Sequence, residues 1–192
     1  EGKAARARKE YAKAVELLEK AVAADPKLPE VHSDLGLALR DAGKDAEAVT
    51  AFTRAIEANP FHESAYADRA DSLFELGRND EAEKDLLKQI EVAPFEEWSY
   101  GRLADLRADQ GRHAEAAELY SKALTIDPKD AGHWLDLAWE YLDLHKKAEA
   151  KTALDKATAL GLKTSRRVSA ALAYRNIGDI KTAGDLASSD LA

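Results

Sequence analysis

His32, Ser33 and Asp34 stand side by side, and they are the residue types of a hydrolase triad. Neighbouring residues of a helix splay about 100° apart, however, whereas a triad needs three converging side chains. No G-x-S-x-G, P-loop or G-x-G-x-x-G string occurs elsewhere. The chain has 5 histidines and no cysteine, which excludes disulfides, thiolate metal sites and a cysteine nucleophile. His62, His113 and His145 fall at turns or helix starts, far apart in sequence, and His133 precedes Trp134 at a helix start. His32 stands where a packing aromatic is expected. No H-E-x-x-H and no histidine pair at ligand spacing is present, so the sequence predicts no metal site and no cofactor. The many carboxylates read as solvated helix faces rather than an acid–base pair. The sequence therefore predicts no catalytic residue and a protein that is not an enzyme.

The charge balance narrows the partners. Lys plus Arg number 28 against 36 Asp plus Glu, a formal charge of −8, which argues against nucleic acid because that partner demands a dense basic footprint. No run of roughly 18 uncharged apolar residues occurs, so membrane insertion is not expected. An apolar share of 45% with 33% charged residues predicts a soluble chain with enough apolar surface for a core. Absence of thiols suits the cytoplasm or a bacterial periplasm equally. The opening Glu1-Gly2-Lys3 has neither an initiator Met nor a signal sequence, which suggests a processed or excised piece.

What positions these residues is a repeat. Pro26, Pro60, Pro94 and Pro128 are each 34 residues apart, and the same step joins Gly43, Gly77 and Gly111. It also joins Ala14, Ala48, Ala82, Ala116 and Ala150, and the large residues Leu18, Phe52, Leu86, Tyr120 and Leu154. A further ladder, Ala21, Ala55, Ala123 and Ala157, is broken by Gln89. Self-similarity at this period means stacked supersecondary units. Within a unit, Val31, Leu35, Ala38 and Leu39 recur at helical spacing, and so do Ala48, Phe52, Ala55 and Ile56. Gly43 stops the first helix and Asn59-Pro60 the second. Each unit is thus an antiparallel helix pair with a short turn.

These residues resemble the tetratricopeptide repeat (TPR) family. One unit supplies His32, Leu35, Gly36, Leu39, Ala48, Phe52, Ala55 and Pro60 at the family's positions, and the following units match with departures at Arg69, Gln89, Arg107 and Leu162. The resemblance implies an all-α fold, a right-handed superhelical solenoid of antiparallel helix pairs. It is expected as a single domain over 1–192. Full repeats are expected at 29–62, 63–96, 97–130 and 131–163, with a partial repeat at 1–28 and a partial, capping repeat at 164–192. Gly178 is expected to stop a first helix there, with Ile180, Ala183 and Leu186 opening a short last one. In the N-terminal partial repeat Val15, Leu18 and Val22 are left short of a partner, which suggests self-association or docking.

In such arrays the first helix of each pair lines a concave groove that holds a peptide. Projected onto that surface, the candidate binding residues are Asp34, Leu37, Arg40, Asp41, Asp68, Asp71, Phe74, Trp98, Arg102, Asp105, Asp109, Leu135, Asp136 and Trp139. One branch of the family grips acidic chaperone tails with a Lys, Arg and Asn clamp. This surface is Asp-rich, so that ligand is excluded. The expectation is a scaffold for a protein or peptide segment with basic and apolar residues. The alternatives are a self-assembly module or a non-catalytic segment of a larger bacterial multidomain protein.

Overall fold

The computed structural model describes residues 1–188. Among them there are twelve α-helices and no strand. They are α1 (Gly2–Ala7), α2 (Tyr11–Ala24), α3 (Pro29–Asp41), α4 (Asp45–Ala58), α5 (Glu63–Glu75), α6 (Asn79–Val92), α7 (Glu97–Asp109), α8 (His113–Ile126), α9 (Ala131–Asp143), α10 (Lys147–Leu160), α11 (Thr164–Ile177) and α12 (Ile180–Ser188). Each predicted full repeat holds one antiparallel pair. The chain divides into two compact units, Glu1–Pro94 and Phe95–Ala192. In the first, each of α1 to α6 packs on its sequence neighbour, and α3 also touches α5. In the second, α7 to α12 do the same, and α9 also touches α11.

Small and large residues alternate across each pair for a steric reason. Gly2, Gly36, Ala70, Ala104 and Ala138 are buried on the first helices, and Leu18, Phe52, Leu86, Tyr120 and Leu154 are buried on the second. A Cβ built on Gly36 would lie 2.6 Å from the Phe52 ring, so only glycine lets the helices close over that ring.

The turns between paired helices repeat one geometry. Gly43, Gly77 and Gly111 take φ near +70° (72°, 69° and 70°). Lys9 at 61° and His145 at 60° occupy the same register position without being glycine. In each turn the next backbone N–H reaches back five residues, as from Lys44 to the Leu39 carbonyl at 2.9 Å and from Lys146 to that of Tyr141 at 2.7 Å. Such bonds satisfy the orphan carbonyls at a helix end.

The proline corners are tied by an aromatic. His32 Nε2 donates to the Pro26 carbonyl at 2.8 Å, the Tyr66 hydroxyl to that of Pro60 at 3.1 Å, and Trp134 Nε1 to that of Pro128 at 3.0 Å. The position demands a flat, mostly apolar side chain with a polar tip, which accounts for histidine, tyrosine and tryptophan in one ladder. Leu162, at the proline position of its repeat, is buried instead.

The ends differ in part from expectation. α11 stops at Gly178, in the left-handed conformation with φ 95°, and α12 follows as predicted. Val15 and Leu18 are not left short of a partner. The six-residue α1 covers them, and both join a core with Ala5, Ala38, Leu39 and Phe52. Val22 is half-buried.

Candidate protein-interaction faces

Within each unit first helices of neighbouring repeats touch, α3 with α5 and α9 with α11, and charged residues of these helices pair across repeats. In the first unit Lys3 Nζ lies 3.0 Å from Asp34, and Arg6 Nε 2.6 Å from Asp41. Arg40 Nη1 lies 3.1 Å from Asp68 and 3.2 Å from Asp71. In the second unit Arg166 Nη1 sits 2.9 Å from Asp136 of the preceding repeat, whereas Arg102 pairs within its own helix, 3.4 Å from Asp105. Asp105 also accepts from the buried Tyr120 hydroxyl at 2.5 Å. Burial and that carboxylate push the Tyr120 phenol far up from its ordinary range.

The acidic residues named from the sequence are therefore not a bare wall. In each unit cations, partly supplied by its terminal partial repeat, lie among them. Burial raises the carboxyls of Asp68 and Asp136 in spite of the arginines beside them. The face in the first unit carries Glu30, Asp34, Asp41, Asp68, Asp71 and Glu75 against Lys3, Arg6 and Arg40. In the second it carries Asp105, Asp109, Asp136 and Asp143 against Arg102 and Arg166. Glu30, Glu75 and Asp109 have no ion pair among the described residues.

The apolar candidates divide. Leu37, Phe74, Trp98 and Trp139 are half-buried. Trp139 donates its indole N–H to Ser169 Oγ at 2.9 Å, and the Arg102 guanidinium lies 5.9 Å from the Trp98 ring centre. Leu135 does not line the surface. It is 2% exposed and packs in a core with Ala170, Ala173 and Tyr174 of α11. Its register ladder is Ser33, Ala67, Gly101 and Leu135, the edge where first helices approach each other, so the one large apolar member is covered by the next helix.

His32, Ser33 and Asp34 do not converge: the His32 ring bonds Pro26, Ser33 is buried, and Asp34 pairs with Lys3. The structure does assemble one group that sequence spacing hides. His113, at the start of α8, puts Nδ1 2.9 Å from Glu140 Oε2 and 3.7 Å from Asp143 Oδ2, both on α9.

Family models described as tetratricopeptide repeat match residues 33–97 and 107–173, and one described as TPR repeat matches 2–41. The chain is a tetratricopeptide repeat protein. Among solved structures, this TPR protein is similar to PilF of Pseudomonas aeruginosa, with a TM-score of 0.83 at 18% identity over 99% of this chain and 88% of that one. It is similar to MamA, with a TM-score of 0.78 at 21% identity over 83% and 93%. It is also similar to YrrB, described as a TPR protein with an unusual peptide-binding site, with a TM-score of 0.74 at 18% identity over 91% and 88%. At such identities the likeness concerns the fold. No curated protein matches the chain. Among the described residues no helix is long and apolar enough to cross a membrane.

Sequence reasoning missed Lys3, Arg6 and Arg166 because they lie in partial repeats, outside the projected helices. A signal was present for Arg6, which stands 34 residues before Arg40.

Proposed function

We propose that this TPR protein is a non-catalytic scaffold that holds a protein or peptide segment rich in basic and apolar residues against the faces of its first helices. The observation that carries the reading is the excess of carboxylates that remains after the internal ion pairs are formed, with half-buried Trp98, Trp139 and Phe74 beside it. A face of one sign steers ligands of the other, and aromatic anchors supply contact area. Family membership supports protein binding in general, and the description of YrrB supports a peptide as ligand by analogy.

The test is binding to a peptide library at two salt concentrations, repeated with Glu75→Lys and Asp109→Lys. Both residues are exposed and have no ion pair to lose, so charge reversal leaves the ion pairs intact. Basic, apolar peptides should bind more weakly at high salt, and more weakly still to the variants. Equal binding of acidic and basic peptides, or indifference to both variants, overturns the reading. Self-association through the N-terminal repeat has less surface to bury than the sequence suggested, since α1 already covers Val15 and Leu18. Light scattering over a concentration series should accordingly show a constant mass.

A further inference from the structure

The group around His113 contains two departures from the repeat that meet each other. Every other second helix in the four full repeats starts with a different residue: Asp45, Asn79 and Lys147 stand where His113 does. Glu140 belongs to the ladder Ala38, Ser72, Leu106 and Glu140, all buried. A carboxylate at a position otherwise filled by alanine, serine and leucine calls for a compensating charge. Asp143, in contrast, continues the ladder Asp41, Glu75 and Asp109, so an acid there needs no special cause.

What Glu140 receives in the protein alone is one imidazole nitrogen. Its side chain is 7% exposed, and His113 is its hydrogen-bond partner among the described residues. A carboxylate has about four acceptor sites, so a single N–H from the protein leaves capacity for a further partner. The other buried carboxylate placed by a departure, Asp85, is met by a full guanidinium on two oxygens. The three donor atoms His113 Nδ1, a Glu140 oxygen and an Asp143 oxygen all lie within 4.8 Å of one another. Zinc ligands sit about 2.0–2.2 Å from the ion, which puts tetrahedral donors roughly 3.3 Å apart. The 2.9 and 3.7 Å separations from His113 bracket that spacing. Asp143, with half its side chain in solvent, is free to turn inward.

We propose that His113, Glu140 and Asp143 form a three-ligand site for a divalent transition-metal ion of the zinc class, clasping α8 to α9, with water completing the shell. An imidazole with two carboxylates suits zinc, copper or nickel, whereas magnesium and calcium require more oxygen donors. Two carboxylates and a neutral imidazole match the charge of a divalent ion.

Isothermal titration of the tag-free, chelator-stripped chain with Zn²⁺ tests the site. One equivalent should bind saturably, with no comparable signal from Mg²⁺. His113→Asn and Glu140→Leu install residues that the chain already carries at the same register, Asn79 and Leu106, so both should fold. Even outer-shell partners of metals are worth about 10–100-fold in affinity, so each loss of a direct ligand should weaken binding at least about tenfold. Co²⁺ absorption bands should appear with the wild type and vanish with His113→Asn, which carries the test should Glu140→Leu misfold. Absence of saturable Zn²⁺ binding overturns the proposal, and so does binding that neither variant alters.

Discussion

Arg69 and Asp85 form a bidentate ion pair, with Nε 2.7 Å from Oδ2 and Nη2 2.6 Å from Oδ1. Both are departures from the repeat. Arg69 replaces the leucine of Leu35, Leu103 and Leu137, and Asp85 stands where Ala51, Leu119 and Ala153 do. A third bond runs from Arg69 Nη1 to Thr53 Oγ1 at 2.9 Å, so the guanidinium bridges α4, α5 and α6. Burial pulls the Arg69 pKa down, but the hydrogen bonds and charge of Asp85 outweigh it and the net direction is up. The two breaks in the pattern compensate each other.

That compensation predicts a double-mutant cycle. Asp85→Ala alone strands a guanidinium, and Arg69→Leu alone strands a carboxylate that is 5% exposed. Losing one partner of a buried pair costs about 3–5 kcal/mol, and the low end applies because the Arg69 side chain keeps 19% of its exposure. The double variant Arg69→Leu with Asp85→Ala restores residues used elsewhere in the array and should be near wild type, or more stable by about 1 kcal/mol. Urea unfolding of the four proteins measures the coupling. Additive losses would show that the pair is not a unit.

The same pair shows where the sequence stops being readable. Ladders of alanine, proline and glycine at one step reveal helix pairs, because each ladder answers a local demand: a close approach, a corner, a left-handed residue. The helix stops before Gly43 and Asn59-Pro60 followed for that reason. Arg69 was visible only as a defect and Asp85 not at all, since their meeting depends on how two faces pack. His113 and Glu140 lie 27 residues apart with no motif between them, so their contact was equally hidden. Leu135 was placed on the binding face by helical counting alone. That counting could not weigh a large apolar side chain in a ladder of small ones, at the edge where the next helix lands. The ion pairs of Lys3, Arg6 and Arg166 escaped because each is made between repeats.

The left-handed turns give a second prediction. His145 at φ 60° and Lys9 at φ 61° sit where glycine serves in three other repeats. A side chain in that conformation costs roughly 1–2 kcal/mol, offset in part by the freedom glycine adds to the unfolded chain. His145 is exposed, so its side chain has little packing to lose. His145→Gly should therefore raise stability by about 1 kcal/mol, read as a higher thermal midpoint. The reverse change, Gly77→Ala, should lower it, although no atom lies within 4 Å of the added Cβ. An unchanged midpoint in both would mean that the turn backbone relaxes freely.

A third prediction follows from opposite shifts at two aspartates. Burial raises the Asp68 carboxyl, and the charge of Asp71 adds to it, while Arg40 and Arg6 pull the other way without prevailing. The folded chain then holds that proton more tightly than the unfolded chain. Its contribution to stability is complete below the ordinary carboxylate range and fades as pH rises through the raised value. Asp179 is the reverse: a hydrogen bond from Lys151, then those from Thr182, lower its pKa, so its contribution exists at neutral pH and disappears as pH falls through the depressed value. Asn at position 68 cannot ionise, so the stability of Asp68→Asn relative to wild type should improve from about pH 4 to about pH 7. For Asp179→Asn the relative stability should worsen as pH rises from about 2 to about 4, by a small amount given its exposure. Thermal midpoints of the three proteins across that range, in metal-free buffer, measure both trends. Parallel curves for wild type and Asp68→Asn would mean that Arg40 fully offsets the burial of Asp68.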